Sequence, residues 1–199
     1  MTAPTTTASM PAVPPHPRSR MRERIVLAGL SALGFAALAW EAFVSPLPRM
    51  TYNPSDSVAV GWYRIDPFDP RTASLPRPLS VDSIVLVPLP ATASVLAAQR
   101  GYLPTRIPLL KRVGAIAPQH VCIAAGHVRI DGVPVAAVWS ADRLGRPLPS
   151  LQLCRRLESG ELFLLSVTNP ASFDSRYFGP VSASAVIGVA YPVWLDTRP

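Results

Sequence analysis

Of the nineteen basic side chains in this sequence, eighteen are arginine and one is lysine, Lys111. Arginine keeps its proton under ordinary conditions, whereas a lysine taken out of water can become neutral and basic. A base of that kind needs a hydroxyl to act on. Ser55 and Ser57 stand in Tyr52-Asn53-Pro54-Ser55-Asp56-Ser57-Val58-Ala59-Val60-Gly61-Trp62-Tyr63-Arg64, and Ser172 opens Ser172-Phe173-Asp174-Ser175-Arg176-Tyr177-Phe178-Gly179. A serine hydroxyl is a poor nucleophile until a neighbouring base removes its proton, and a Ser-Lys pair is one recognised way of doing so. Leu109, Leu110 and Val113 give Lys111 the apolar flank that would depress its pKa, while Arg112 would point to the opposite face of a strand. Each segment alone also has a plain reading. One lysine can survive by chance, and paired serines commonly make a turn.

Taken together and in this order, the three segments resemble the conserved boxes of signal peptidase I. Asn-x-Ser-x-Ser followed by Gly-x-Tyr-Arg, the cysteine pair, and Ser-Phe-Asp-Ser-Arg-Tyr-Phe-Gly-Pro are similar to its conjugative-transfer, TraF-like branch. The resemblance implies a serine endopeptidase with Ser57 as nucleophile and Lys111 as general base. It places the Ser55 hydroxyl and the Ser57 amide in the oxyanion hole, and has Ser172 orient the Lys111 amine. It makes Asp174 and Arg176 a supporting ion pair. The family's conjugative branch matures pilin subunits, so the implied partners are a precursor protein or pilin and a conjugative type IV secretion apparatus. Three departures favour a specialised peptidase with few substrates. Ala59 stands where the family has proline, Gln119-His120 replaces Gly-Asp, and Ser166-Val167-Thr168 replaces Gly-Asp-Asn.

Other chemistries compete poorly. Gly-x-Ser-x-Gly is absent, and two of the three histidines, His120 and His127, lie close together beside Cys122, which argues against a Ser-His-Asp triad. Zinc on Cys122, Cys154, His120 and His127 fits no standard spacing, so neither metal nor cofactor is expected. An even cysteine count in an exported domain favours a Cys122–Cys154 disulfide. The net charge of +7 contains no dense basic run, and no nucleic-acid partner is expected. Self-cleaving repressors use the same Ser-Lys pair, but in the cytoplasm and with a DNA-binding domain. A non-catalytic periplasmic assembly factor on the same fold is the alternative to an enzyme.

The elements that must position these residues divide into three. Residues 1–24 read as a disordered, basic cytoplasmic tail. Residues 25–44 begin with sixteen uncharged positions and are about 30 Å long as a helix, so they read as a transmembrane anchor in the bilayer. The arginines before that run place the N-terminus in the cytoplasm by the positive-inside rule. A cleavable signal peptide is the rival, given Ala37-Leu38-Ala39. On either reading residues 45–199 face the periplasm, and the anchored form is a single-pass protein of the bacterial inner membrane. This domain should be mainly β, with 24 prolines in the chain, apolar runs near 61–65, 83–87, 109–116, 128–138, 162–167 and 185–193, and a hairpin at Asp131-Gly132. Only residues 93–100 look helical within it.

Overall fold

The computed structural model describes residues 17–44, 49–67 and 79–196. The chain divides into two units, Met1–Pro46 and Leu47–Pro199. The first contributes one helix, α1, Pro17–Val44. At 1.5 Å per residue it is about 42 Å long. The sequence predicts a disordered tail over 1–24, but residues 17–24 are helical, so α1 starts eight residues before the expected span. Proline suits a first helical position, and Arg, Met and Glu are good helix formers. Residues 1–16 of that tail lie outside the described residues. Ile25, Leu30, Leu33 and Phe35 are all well exposed on α1. Among the described residues no helix is long and apolar enough to cross a membrane. The expected span at 25–44 runs beyond them, since the side chains of 38 and 40–44 are not described.

The second unit is mainly β, as expected. Its strands are β1 (Arg49–Asn53), β2 (Gly61–Pro67), β3 (Ile84–Val87), β4 (Leu109–Ile116), β5 (His120–Ala124), β6 (His127–Ile130), β7 (Val133–Ala137), β8 (Leu153–Arg156), β9 (Glu161–Leu164), β10 (Val181–Ser182) and β11 (Gly188–Leu195). Two short helices join them, α2 (Ala91–Gln99) and α3 (Ser175–Phe178). One seven-stranded antiparallel sheet runs β1-β2-β11-β3-β4-β9-β10, and a four-stranded sheet runs β7-β6-β5-β8. The β6–β7 hairpin turns at Asp131 and Gly132, both at positive φ (50° and 86°), where a type I′ turn needs them.

Alternation along β2 explains how the large sheet is anchored. Tyr63 and Ile65 face inward at 1% exposure, while Trp62 and Arg64 face out. Tyr63 and Ile65 pack with Val58, Leu110 and Ala190, so this part of the core ties the loop after β1 to β4. Gly61 is required where β2 meets β11: its φ is 145°, and a Cβ there would lie 2.2 Å from the Trp194 carbonyl oxygen. A second cluster, in which Val85, Val113 and Leu164 are fully buried, seals the sheet beneath β4. The small sheet packs Val121 and Val128 against Ala115 and Phe163. Cys122 and Cys154 are directly opposed on β5 and β8 and form a disulfide.

Candidate active site

Two loops and one strand bring the candidate residues together. Lys111 lies on β4 opposite Val85 of β3, at 2% exposure. Its neighbours Leu110 and Val113 are buried, and Arg112 is turned outward toward Asp82. Burial pushes the Lys111 ammonium down to a pKa of about 8, with Asp174 pulling it up and Arg176 adding to the depression. The amine donates to Ser172 Oγ at 2.5 Å. Ser172 Oγ in turn lies 3.4 Å from Ser57 Oγ. Ser172 therefore stands between nucleophile candidate and base candidate, as a bridge as well as a support. Once the amine is neutral, it can accept from the Ser172 hydroxyl while that hydroxyl accepts from Ser57.

The loop carrying Ser57 is organised by a residue to which the sequence reading gave no role. Asn53, 5% exposed at the end of β1, donates from Nδ2 to the carbonyls of Ser55, Val58 and Ala59. Its Oδ1 accepts from the Ser55 amide at 3.3 Å and the Ser55 hydroxyl at 3.0 Å. One side chain thus closes the turn that holds both serines. Tyr63 adds a hydroxyl bond to the Ala59 carbonyl, and Val58 plugs into the core. The signal was available in principle, since a buried asparagine next to a serine turn needs partners for all its polar atoms. Ser57 itself is 8% exposed. With its hydroxyl on Asn53, Ser55 must turn that group outward to serve as an oxyanion donor.

Ser172 is fixed from behind. Asp174 and Arg176, both 0% exposed, pair at 2.8 Å. Asp174 also caps α3 by accepting from the Arg176 amide, and it accepts from the Ser166 amide. Arg176 donates to the carbonyls of Ala137, Asn169, Pro170 and Ser172. The guanidinium so gathers the whole 169–172 turn, and Thr168 Oγ1 joins that turn to the Ser57 loop at the Asp56 carbonyl. Cys122 and Cys154 lie away from these residues, in the small sheet.

Ser55, Ser57, Lys111 and Ser172 share the wall of one cavity of about 460 Å³. Tyr102, Phe173 and Tyr177 form its aromatic side, with Phe173 stacked on Tyr177 at 5.7 Å. A second hollow of about 330 Å³, lined by Asp56, Arg112 and Thr168, also reaches Ser57. Open space therefore adjoins the serine on two sides. Among the described residues no group of His, Cys, Asp and Glu could hold a metal ion.

Residues 22–195 match the family model for signal peptidase, peptidase S26. The chain belongs to this family. Within it the chain is a TraF-like member. It is 32% identical over 185 residues to the plasmid transfer protein TraF of Escherichia coli, covering 87% of this chain and 95% of that protein. It is 34% identical over 190 residues to the conjugal transfer protein TraF of Agrobacterium tumefaciens strain 15955, covering 87% and 98%. A signal peptidase I crystal structure from Enterococcus faecalis V583 aligns at TM-score 0.36 and 22% identity, over 58% of this chain and 98% of that one.

Proposed function

We propose that this S26 family member is a membrane-anchored serine endopeptidase of a conjugative transfer system, cutting exported precursors or pilin-type subunits after a small residue. The observation that carries the reading is Lys111. It is a buried amine of depressed pKa, hydrogen-bonded to Ser172 in the cavity that also holds Ser57. The neutral amine draws the Ser57 proton toward itself across the Ser172 hydroxyl as Ser57 Oγ attacks the scissile carbonyl. The Ser57 amide and the Ser55 hydroxyl, once turned from Asn53, stabilise the oxyanion. The lysinium then protonates the leaving amine, and water resolves the acyl-enzyme by the same route. Space on two sides of Ser57 suits a chain that continues past the cut in both directions.

The names of the TraF relatives support the setting in conjugation. A bilayer partner and a periplasmic catalytic domain rest on the uncharged run at 25–40 and on an outward aromatic face of the large sheet. There Tyr52 pairs with Trp62, and Trp62 with Trp194. The three are between 42% and 73% exposed, and rings of this kind are at home in a membrane interface.

Labelling by a serine-acylating probe, followed together with precursor processing, tests the proposal. The wild-type chain in detergent should be labelled and should cut. Ser57→Ala should lose both, and Lys111→Arg and Lys111→Met should each lose processing by at least about 10²-fold with an unchanged circular dichroism spectrum. Arginine keeps charge and bulk but cannot act as a base, so processing by Lys111→Arg would sink the mechanism. A wild-type chain that neither takes the label nor cuts would favour the non-catalytic assembly factor.

A further inference from the structure

The cavity beside Ser57 has a charged wall that the peptidase chemistry does not use. Arg100, at the C-terminal end of α2, lines it together with Arg143 and Arg146. The one carboxylate on this wall, Asp142, is already saturated. It accepts from the Tyr102 hydroxyl, from Arg146 Nε at 2.7 Å, and from the amides of Leu144 and Arg146. Burial alone would raise its pKa, but these donors outweigh that and hold the carboxyl well below the ordinary range. Arg146 is thereby neutralised, and its guanidinium also lies over the Tyr102 ring at 5.4 Å and donates to the Arg100 carbonyl.

Among the described residues Arg100 has no such counter-ion. Its Nη1 is the one buried side-chain nitrogen or oxygen without a hydrogen-bond partner among the described residues. A buried guanidinium N–H left unpaired is costly, and once the side chain turns to bring this nitrogen to the cavity, its planar fork of donors matches a carboxylate. Of the charged groups around the cavity, the cations Arg100, Arg143, Arg146 and Lys111 face Asp142 alone, with the hydroxyls of Tyr102 and Tyr177 beside them. A rounded space of about 460 Å³ is about 10 Å across, or about three residues of extended chain at about 3.3 Å each.

We propose that Arg100 forms a carboxylate-binding subsite, taking an acidic side chain or a free C-terminal carboxylate within about three residues of the bond presented to Ser57. The assignment rests on the peptidase reading for its substrate, a peptide, but the binding it asserts does not depend on cleavage. The subsite selects by charge where the aromatic side of the cavity can select only by shape.

Binding to the full-length Ser57→Ala chain in detergent tests it, by calorimetry with four capped peptides. One pair is acetyl-Ala-Ala-Ala-Glu-amide against its Gln counterpart. The other is acetyl-Ala-Ala-Ala-Ala with a free carboxylate against the C-terminal amide. At least one acid should bind about tenfold more tightly than its neutral partner, and the pair that shows it identifies the source of the carboxylate. Introducing Arg100→Gln should abolish the preference, and Arg100→Lys, the conservative change, should keep part of it. Equal binding within both pairs, no binding of any peptide, or a preference that survives Arg100→Gln overturns the subsite. Wild-type cleavage of the same peptides without discrimination would leave the peptidase standing and remove the subsite. Discrimination by a chain that never cleaves would do the reverse.

Discussion

Taking the Lys111 ammonium out of water costs free energy that one hydroxyl partner returns only in part. Its pKa falls from 10.5 to about 8, equivalent to about 3 kcal/mol against the charged folded form. Below pH 8 both folded and unfolded chains hold the proton, so the folded state bears the full penalty. Between about pH 8 and 10.5 the unfolded chain holds more protons, and stability rises with pH through that window. Lys111→Met should therefore stabilise the domain at pH 7 by about 1–3 kcal/mol, raising Tm by several degrees, with a gain that shrinks toward pH 10. The proposed activity should have the matching profile. The rate should fall about tenfold per pH unit below about 8, as the neutral amine is lost. Thermal melts from pH 6.5 to 10 and kcat/KM from pH 5 to 9 check both. A melting point lowered by Lys111→Met at pH 7 would show that the buried charge is not strained by desolvation, and a flat rate profile from pH 5 to 9 would count against a lysine base.

At the scale of the element, the sequence was legible where pattern alone decides. The β6–β7 turn could be read from Asp131-Gly132 because few residue pairs tolerate two positive φ angles. β4 could be read from its apolar run, and the lone lysine on it from residue type. What could not be read depends on partners far along the chain. β1, β5 and β8 are short and partly polar, and their identity comes from pairing with β2, β6 and each other. Ser172 was assigned an orienting role by resemblance, but its place between Lys111 and Ser57 follows from how Arg176 folds the 169–172 turn. The loop after β1 shows a different limit, because its partners are near in sequence yet meet only once the turn is folded. Three carbonyls and two donors converge on Asn53 from within six residues, a local network that spacing does not reveal. Asn53→Ala should strand those buried carbonyls and destabilise the domain by about 1–3 kcal/mol. It should also lower kcat by about 10-fold or more with little change in KM, since on the proposed mechanism the turn presents Ser57 as nucleophile rather than binding the peptide. Asn53→Asp, which keeps Oδ1 but loses the Nδ2 donor, should recover the Ser55 contacts without the three carbonyl bonds. A kcat unchanged in Asn53→Ala, measured on folded protein, would show that Val58 and Tyr63 hold the loop unaided.

For the whole molecule, the proposed peptidase would meet its substrate at a membrane surface. Ser57 follows Val44, the last residue of α1, by thirteen positions. Within the second unit, the loop bearing Ser57 connects β1 to β2, the two strands that carry Tyr52 and Trp62 on the outward face. Trp194 on β11 and Met50 on β1 extend that face, and the Arg64 guanidinium lies 5.5 Å over the Tyr191 ring within it. Aromatic rings interleaved with an arginine suit the headgroup region of a bilayer, where an apolar body and a polar tip are both satisfied. A precursor still held in the bilayer by its own apolar segment could then enter the cavity in extended form, with no need to leave the surface. Lipid over the mouth would also exclude water and lower the Lys111 pKa further. A fragment beginning at Pro46 should therefore cut poorly in plain buffer and gain activity when anionic vesicles are added. Replacing Trp62 and Trp194 together by Ser should weaken its co-sedimentation with those vesicles while leaving its circular dichroism spectrum unchanged. Full activity of the fragment without lipid would separate the dyad from the membrane, leaving the chemistry intact and assigning the aromatic face some other use.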